Sequence, residues 1–255
     1  MDKDPILWEE CTWPEIRDLT ERTKMVIIPF GSTEQHGYHL PLNTDTETVY
    51  YIAKRVSAET RVPVAPPLPY CCSQGHIGFP GTMTLRSETL THVTQELCQS
   101  LYKTGIRKIL LLNGHMYNIG PLLSARENLK DILPDLLIKT MNYWDVLSAE
   151  FSKLDAEDCP VVFGRPVNIH GNISETAYML AIRPDLVKMD RAVNDPGYQS
   201  HFDYPFNQVS KTGAIGTRIT EATADRGNRI IDAAVEGLCQ YVRAQMEEGP
   251  KYPPE

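Results

Sequence analysis

The segment MVIIPFGSTEQHGYHLPLNTD, residues 25–45, joins the pattern of a buried strand to a dense group of polar side chains. Its first six residues form a continuous apolar run that is rich in β-branched residues. Such runs are typical of strands covered on both faces, as in a parallel sheet between two layers of helices. Glu34, His36 and Asp45 follow this run closely. The segment therefore predicts a buried central strand with a polar site at its carboxyl end.

Further strand and helix patterns follow along the chain. Three more stretches resemble strands: 62–65 (VPVA), 107–112 (RKILLL) and 136–141 (LLIKTM). Apolar residues recur at helical spacing near 90–101 and near 231–242, and Gly105 follows the first of these stretches as a helix-ending residue. Strands that alternate with helices predict an α/β fold with three αβα layers and a mainly parallel central sheet. The length suits a single domain over residues 1–255.

Composition narrows the class of partner. The formal net charge is −8 and basic residues form no block, which argues against nucleic acid and against an anionic membrane surface. No apolar run approaches the roughly 18 residues that span a bilayer, and no signal-peptide pattern opens the chain. The six cysteines lack a CxxC spacing and are expected to be reduced thiols. We expect a cytoplasmic protein that binds a small molecule or another subunit.

Polar residues are expected to meet at the ends of neighbouring strands. His115 follows the KILLL run directly, and His170 and Glu175 precede a helix-like apolar stretch, AYMLAI. Imidazoles and carboxylates are the ligands that suit zinc, manganese and iron. Glu34 and His36 are one residue apart, so their side chains leave an extended segment on the same side, which suits two neighbouring ions.

Each of these residues also has an ordinary structural explanation. Glu34 and His36 could form a salt bridge at the end of the strand. Asp45 could cap a helix that begins at residue 46, and His115 could be a simple turn histidine. Convergence on the ends of successive strands favours a metal site, because unrelated structural roles would not be expected to meet at one rim.

Residues 31–45 resemble the G-x-x-E-Q-H-G-x-H-L-P-x-x-T-D signature of the creatininase family, the metal-dependent creatinine amidohydrolases and their relatives. The resemblance continues in order from about residue 7 to residue 242. It passes through four further motifs: FPGT (79–82), NGH (113–115) with Asn118 three residues on, NYWD (142–145) and H-G-x-x-x-E-T (170–176). It implies the three-layer α/β fold of that family and a hydrolytic activity.

The resemblance also implies a ligand set. Glu34, Asp45 and His115 would bind one metal ion, and His36 and Asp45 would bind a second, so that Asp45 bridges the two. We expect two divalent ions per subunit, with zinc as the first choice and manganese or iron as alternatives. The family commonly forms closed homo-oligomers, so a homo-oligomer, and a hexamer in particular, is expected.

Other residues match family positions with catalytic roles. His170 matches a histidine assigned to proton transfer. Glu175 matches a glutamate of the same motif and is counted both as a catalytic residue and as a metal ligand, with orientation of another ligand as the alternative role. His39 is expected to orient Asp45 or another ligand.

His76 is a further pocket candidate. It lies in the first of two long irregular stretches, 66–80 and 194–217, and loops of this length are often functional. The alternative for His76 is an exposed loop histidine.

Departures from the family pattern concern the substrate pocket. Creatininase itself has Tyr and then Glu after NGH, the Glu being a residue of the metal site, whereas this chain has Met116 and Tyr117. A Trp-Asp pair of creatininase is replaced by a stretch that contains Arg165 and Asn168, which suit hydroxyl or carboxylate recognition. Trp144 matches an aromatic lid residue. We therefore assign Met116, Tyr117, Trp144 and Arg165, together with His76, to substrate binding.

These features predict a metal-dependent hydrolase that activates water against a small polar cyclic or linear amide, a non-peptide C–N bond. His170 would move a proton to the leaving group. One alternative is a ring-opening hydrolase of an oxidised inositol, an inosose, in which a C–C bond is cleaved. An alternative of another class is a non-catalytic metal-binding member of the family, suggested by the absence of a carboxylate at position 117.

Overall fold

The computed structural model describes residues 4–155, 161–162, 165–166, 170–197 and 204–248. Its central sheet is parallel and consists of three strands: β1 (Met25–Phe30), β2 (Lys108–Asn113) and β3 (Leu137–Asn142). Phe30 pairs with Asn113, and Asn113 pairs with Asn142, so that the three strands end together. This common end places the chain that follows each strand along a single edge of the sheet.

A fourth extended row runs beside β1. Val64 forms parallel bridges with Ile27 and with Leu7. Pro63 and Pro66 flank this position, and neither has the backbone N–H that a continuous ladder requires. The stretch predicted as a strand at 62–65 is therefore reduced to isolated bridges between β1 and the N-terminal segment.

Eight α-helices occur within the described ranges: α1 (Trp13–Arg22), α2 (Thr44–Thr60), α3 (Ser87–Lys103), α4 (Ile119–Lys130), α5 (Ala149–Asp155), α6 (Ile173–Ile182), α7 (Phe206–Val209) and α8 (Ala224–Glu247). A short antiparallel pair, β4 (Val161–Val162) and β5 (Arg165–Pro166), follows α5. Gly105 adopts φ of 102° just after α3, as predicted, because glycine takes this left-handed conformation without steric cost. None of these helices is long and apolar enough to cross a bilayer.

Short 3-10 helices complete the described secondary structure: Trp8–Glu10, Gln74–His76, Met116–Asn118, Tyr143–Val146, Pro184–Leu186, Met189–Arg191 and Ile219–Glu221. Three of them, at Gln74–His76, Met116–Asn118 and Tyr143–Val146, contain residues predicted to form the substrate pocket.

Two apolar cores cover the two faces of the sheet. Ile27 and Leu110 point into the first core, which α2 and α8 complete. Ile28 and Leu111 belong to the second core, on the side of α3 and α4. Alternate residues of each strand therefore face opposite helix layers, which explains the unbroken apolar runs in the sequence. The predicted three-layer αβα arrangement is confirmed. The buried thiols Cys71, Cys72 and Cys98 belong to the second core.

Truncation of a core side chain gives a test of this packing. Leu110 is fully buried in β2, and Leu110→Ala is expected to lower the free energy of unfolding by about 2–5 kcal/mol, since it removes buried methyl groups and leaves a cavity. Urea unfolding followed by circular dichroism measures the loss. Leu123→Ala on the exposed side of α4 is the control and should change stability by about 0.5 kcal/mol or less. Equal effects of the two substitutions would contradict the assigned core.

Candidate metal centre

The chain that follows β1 and β2 brings polar side chains to the carboxyl end of the sheet. Glu34 and His36 lie in the irregular chain that follows β1, and His115 lies in the turn that follows β2. Asp45 lies in the first turn of α2, and Glu175 lies in the first turn of α6. All five side chains are buried. They are the five residues that the sequence analysis assigns as metal ligands.

A close contact between β1 and α2 positions Asp45. A Cβ on Gly31 would lie 2.5 Å from the Cα of Thr46, so only glycine allows the strand to pass this close to the helix. Ser32 Oγ then donates a hydrogen bond of 2.8 Å to Asp45 Oδ2. The helix begins at Thr44 with Asn43 as its N-cap, so the alternative in which Asp45 caps the helix is wrong.

Asn118 ties the ends of β1 and β2 together. Its Nδ2 donates to the carbonyl of Gly31 at 2.9 Å and to Asn113 Oδ1 at 3.2 Å. Asn113 Oδ1 also accepts from the backbone N–H of His115 at 3.1 Å. The Asn-Gly-His turn and the strand before Glu34 are therefore held by one amide network, which fixes His115 relative to Glu34.

The five side chains form two groups that share Asp45. In the first group Asp45 Oδ2 lies 2.8 Å from His115 Nδ1, and Glu34 Oε2 lies 3.2 Å from His115 Nε2. In the second, His36 Nε2 lies 3.1 Å from Asp45 Oδ1 and 3.7 Å from Glu175 Oε2. Within each group the potential ligand atoms lie within 4.8 Å of one another. Two centres that could each hold a metal ion therefore lie side by side.

Buried polar atoms that make no hydrogen bond support this interpretation. Both carboxylate oxygens of Glu34 and the Nε2 atom of His115 are buried, and no hydrogen bond to a described group satisfies them. Imidazoles lie near the Glu34 oxygens, but burial of a carboxylate that accepts no hydrogen bond is costly, so these atoms favour a ligand from outside the chain. The donor set of carboxylate oxygens and imidazole nitrogens suits a divalent ion of the zinc, manganese or iron type. The residues present therefore fit a metal.

The buried histidines and carboxylates of the two ligand groups shift one another's pKa values. Burial lowers the pKa of His36, but the carboxylates of Asp45 and Glu175 outweigh burial and raise this pKa to about 10. The pKa of His115 is raised to about 9 because Glu34 and Asp45 outweigh burial in the same way. Burial raises the pKa values of Glu34 and Glu175 to about 7 each. Without a metal ion, imidazolium protons neutralise the buried carboxylates.

Metal binding is therefore expected to release protons. Zinc requires neutral imidazoles, so binding at pH 7 should expel roughly two to three protons per subunit, and zinc affinity should rise from pH 7 to pH 9. Calorimetric titration with zinc in two buffers of different protonation enthalpy measures this number. Release of no protons would contradict the proposed ligand set.

The same imidazolium groups make the stability of the metal-free protein depend on pH. The stabilisation that their raised pKa values give to the fold is fully present below pH 6.5 and is lost as the pH rises through about 9 to 10.

Two more histidines face Glu34 from the other side. His170 Nδ1 lies 3.5 Å and His76 Nε2 lies 3.6 Å from Glu34 Oε1. His76 is only 2% exposed, so the alternative of an exposed loop histidine is wrong. Phe206 stacks on the ring of His76 with 4.5 Å between centroids. The two irregular stretches of the sequence therefore meet here, the first through His76 and the second through Phe206.

The remaining predicted pocket residues lie at different distances from this group. Tyr117 is half-buried beside His115 and His76, with ring centroids 5.6 Å and 5.8 Å away. Met116 precedes it and is 38% exposed. Trp144 follows β3, packs against the first core and contacts Tyr143 edge to face at 4.9 Å. Their roles in substrate binding stay predictions.

Of three further residues singled out from the sequence, only His39 has a described side chain. His39 Nε2 lies 2.8 Å from Thr176 Oγ1, so its hydrogen bond supports the helix of Glu175, whereas the option of a bond to Asp45 is not realised. Arg165 lies in β5, but its side chain is outside the described part of the structure. Asn168 lies outside the described residues altogether.

Sequence reasoning missed some residues that build the site. Ser32 binds Asp45, and Gln35 lies against both His76 and His170. Both residues belong to the GSTEQHG segment, so their position in that motif was an available signal. Phe206 carried no such signal, because an isolated aromatic residue in an irregular stretch resembles ordinary core.

Comparison with known proteins identifies the family. The family model Creatininase, described as creatinine amidohydrolase, matches residues 9–242. Creatinine amidohydrolase of Pseudomonas putida is 32% identical over 253 residues, covering 92% of this chain and 95% of that protein. The 3-dehydro-scyllo-inosose hydrolase of Thermotoga maritima is 28% identical over 275 residues, covering 98% and 87%. A mycofactocin precursor peptide peptidase of Mycolicibacterium smegmatis is 30% identical over 239 residues, covering 89% and 87%.

Solved structures agree with this result. One described as creatininase Mn superimposes with a TM-score of 0.83 at 26% identity, covering 96% of this chain and 100% of that chain. A creatininase variant described as Zn-Zn type gives a TM-score of 0.82 at 26% identity, covering 96% and 99%. The fold and family predicted from the sequence are thus confirmed, and the chain belongs to the creatininase family of hydrolases.

Proposed function

We propose that this protein is a binuclear metal-dependent hydrolase that cleaves a C–N bond in a small polar cyclic or linear amide. The observation that carries the proposal is the pair of ligand groups that share Asp45, together with the buried oxygens of Glu34, which accept no hydrogen bond from the described residues. Zinc is the first choice of ion, with manganese or iron as alternatives. Bound divalent ions would polarise a substrate carbonyl and lower the pKa of an attacking water toward neutrality.

In this proposal Glu175 is a ligand in its own right. The family position that carries a carboxylate after the Asn-Gly-His turn is occupied by Tyr117. Glu175 Oε2 lies in the second ligand group and accepts a hydrogen bond of 2.5 Å from the N–H of Gly171. The side chain of Asn172 caps α6 by accepting from the N–H groups of Ser174 and Glu175, which fixes the helix turn that carries the carboxylate. Glu175 would therefore supply the carboxylate that position 117 lacks.

His170 is the proposed proton carrier. Burial, with His76 and His36 nearby, holds the pKa of His170 well below the ordinary imidazole value, so the ring is neutral at pH 7. A neutral imidazole can accept a proton from an attacking water and return it to a leaving group. Its Nδ1 faces Glu34, which places it beside the ligand groups without including it in either Asp45-sharing group.

The substrate is the finer part of the proposal. A C–N bond is favoured because the relative with the highest identity among those described is a creatinine amidohydrolase, and the peptidase relative also acts on a C–N bond. We propose that Met116, Tyr117, Trp144, His76 and Arg165 contact the substrate. The inosose hydrolase relative keeps a second candidate open, because Arg165 would suit a hydroxylated ring.

Metal content and turnover on one sample test this proposal. Metal per subunit is measured by elemental analysis, and hydrolysis is screened with creatinine, formamides, cyclic ureides, short peptides and oxidised inositols. Two ions with turnover of one amide class would support the proposed function. Turnover of inosose alone would favour the ring-opening alternative. Bound metal with no turnover of any class would favour the non-catalytic alternative, and a failure to bind zinc or manganese would overturn the binuclear site.

We also propose that the chain acts as a single domain in a cytoplasmic homo-oligomer, with a hexamer as the expected form. The support is family membership together with large exposed apolar side chains, among them Tyr38, Tyr70 and Ile77. Light scattering coupled to size-exclusion chromatography measures the assembly, and a monomer at micromolar concentration would overturn this part.

A further inference from the structure

Gln35 separates two proposed ligands, and its own side chain contacts other partners. It is 5% exposed, and its Oε1 accepts a hydrogen bond of 3.0 Å from the N–H of Gly37. The backbone of Gly213 packs against the same oxygen: a Cβ there would lie 1.9 Å from Oε1, and the φ of 85° also favours glycine. These contacts fix the orientation of the amide, with Oε1 toward the backbone and Nε2 toward two histidine rings.

The amide nitrogen meets one nitrogen of each ring. Gln35 Nε2 lies 2.9 Å from His76 Nδ1 and 2.9 Å from His170 Nε2. An amide NH2 group carries two hydrogens and donates only, so each of these bonds requires a ring nitrogen without a proton. His76 then carries its proton on Nε2 and His170 on Nδ1. Both N–H groups are directed toward Glu34 Oε1, at 3.6 Å and 3.5 Å.

The backbone carbonyl of Gln35 favours the opposite tautomer of His170. Its carbonyl oxygen lies 2.7 Å from His170 Nε2, and a carbonyl can only accept. That contact favours the tautomer of His170 with the proton on Nε2. Gln35 therefore offers His170 Nε2 a donor and an acceptor together, whereas it offers His76 Nδ1 a donor.

Ring rotation is restricted by a third group. Phe206 stacks on His76 at 4.5 Å and contacts the ring of His170 edge to face at 4.6 Å. The rings of His76 and His170 also lie against each other, with centroids 4.2 Å apart. Neither ring can change its partners by turning over without displacing these neighbours, so a change of hydrogen-bond partner must come from a change of tautomer.

We propose that Gln35 is a positioning residue that fixes the tautomer of His76 through its side-chain amide and stabilises both neutral tautomers of His170 without movement of the ring. Its side chain would hold the form of His170 with Nδ1–H toward Glu34, and its carbonyl would hold the form in which Nδ1 presents a lone pair there. His76 would remain a fixed N–H donor toward Glu34.

Nuclear magnetic resonance tests this proposal by measuring the tautomers of His76 and His170 directly. Gln35→Met keeps the length of the side chain and removes both amide hydrogens. We expect His170 to shift to the Nε2–H form, since the carbonyl remains its partner, and His76 to lose its exclusive Nε2–H form. Long-range ¹H–¹⁵N spectra of zinc-loaded, ¹⁵N-histidine-labelled protein distinguish the two ring nitrogens. His76→Gln and His170→Gln assign the signals, and Gln208→Met, at an exposed glutamine of α7, is the matched control.

Two results would overturn the proposal: unchanged tautomers of both rings in Gln35→Met, or a proton on Nδ1 of His76 in the unaltered protein. If Gln35→Met does not fold, Gln35→Glu replaces the donor by an acceptor of the same shape. It should place protons on His76 Nδ1 and His170 Nε2, and unaltered tautomers would again overturn the proposal. These spectra do not depend on turnover, so a failure of the proposed hydrolysis is distinguishable from a failure of this inference.

Discussion

Asp45→Asn should remove both bound metal ions and reduce hydrolysis to background. Each ligand group contains one oxygen of Asp45, and the amide keeps the shape of the side chain while it loses the negative charge that both ions need. The carboxylate also lies 3.1 Å from His36 and 2.8 Å from His115, so its loss removes the group that orders both imidazoles. Both losses are measured on one sample. The metal content per subunit is determined after dialysis against a fixed free zinc concentration, and turnover is assayed in parallel.

The matched control for this substitution is Asp131→Asn. Asp131 is exposed at the end of α4 and loses the same charge far from the proposed ligands. It should leave metal content and turnover unchanged. An Asp45→Asn protein that still binds two ions and retains its activity would refute the shared role of this carboxylate.

His170→Ala should separate metal binding from turnover. The ring lies beside the ligand groups but outside the two that share Asp45, so the metal content should stay close to that of the unaltered protein. Loss of a positioned proton carrier typically reduces turnover by about 10² to 10⁴-fold, and we expect a reduction in this range. Single-turnover kinetics on the metal-loaded protein measure the effect on the chemical step.

His92→Ala controls for loss of an imidazole, since His92 is exposed on α3. Two results count against the proposed role of His170. One is full activity of His170→Ala; the other is loss of metal in parallel with turnover, which would make His170 a ligand, as its place in a third group with Glu34 and His36 allows.

Much of the fold follows from local patterns in the sequence. The apolar run at 25–30 coincides with β1, and the runs near 107–112 and 136–141 differ from β2 and β3 by one residue at each end. β1 and β2 were predictable because burial on both faces demands continuous apolar residues, whereas β3 is mostly half-buried and includes Lys139 and Thr140. The extended row at Val64 was harder to predict from the sequence. The nearby prolines interrupt its hydrogen bonding, yet Val64 still forms bridges with β1 on one side and with the N-terminal segment on the other.

Part of the candidate site was likewise predictable from the sequence, and part was not. Ligand types and their order came from the motif, and the strand-end rule indicated that Glu34 and His115 would meet. The position of His76 could not be derived, since it depends on the path of a loop rather than on any periodicity. The tautomer contacts of Gln35 likewise depend on distances between segments 41 and 135 residues apart, which no local pattern encodes.

The shared carboxylate of Asp45 has a thermodynamic consequence for loading of the centre. In the proposed centre, an ion in either group would neutralise and orient the carboxylate that the other group also uses, so the two occupancies would be linked. By reciprocity, whatever factor the first ion applies to the affinity of the second must apply equally when the order of loading is reversed. The two ions of the proposed centre would therefore be thermodynamically coupled, and the half-loaded protein would be a distinct species rather than an average of the empty and full forms.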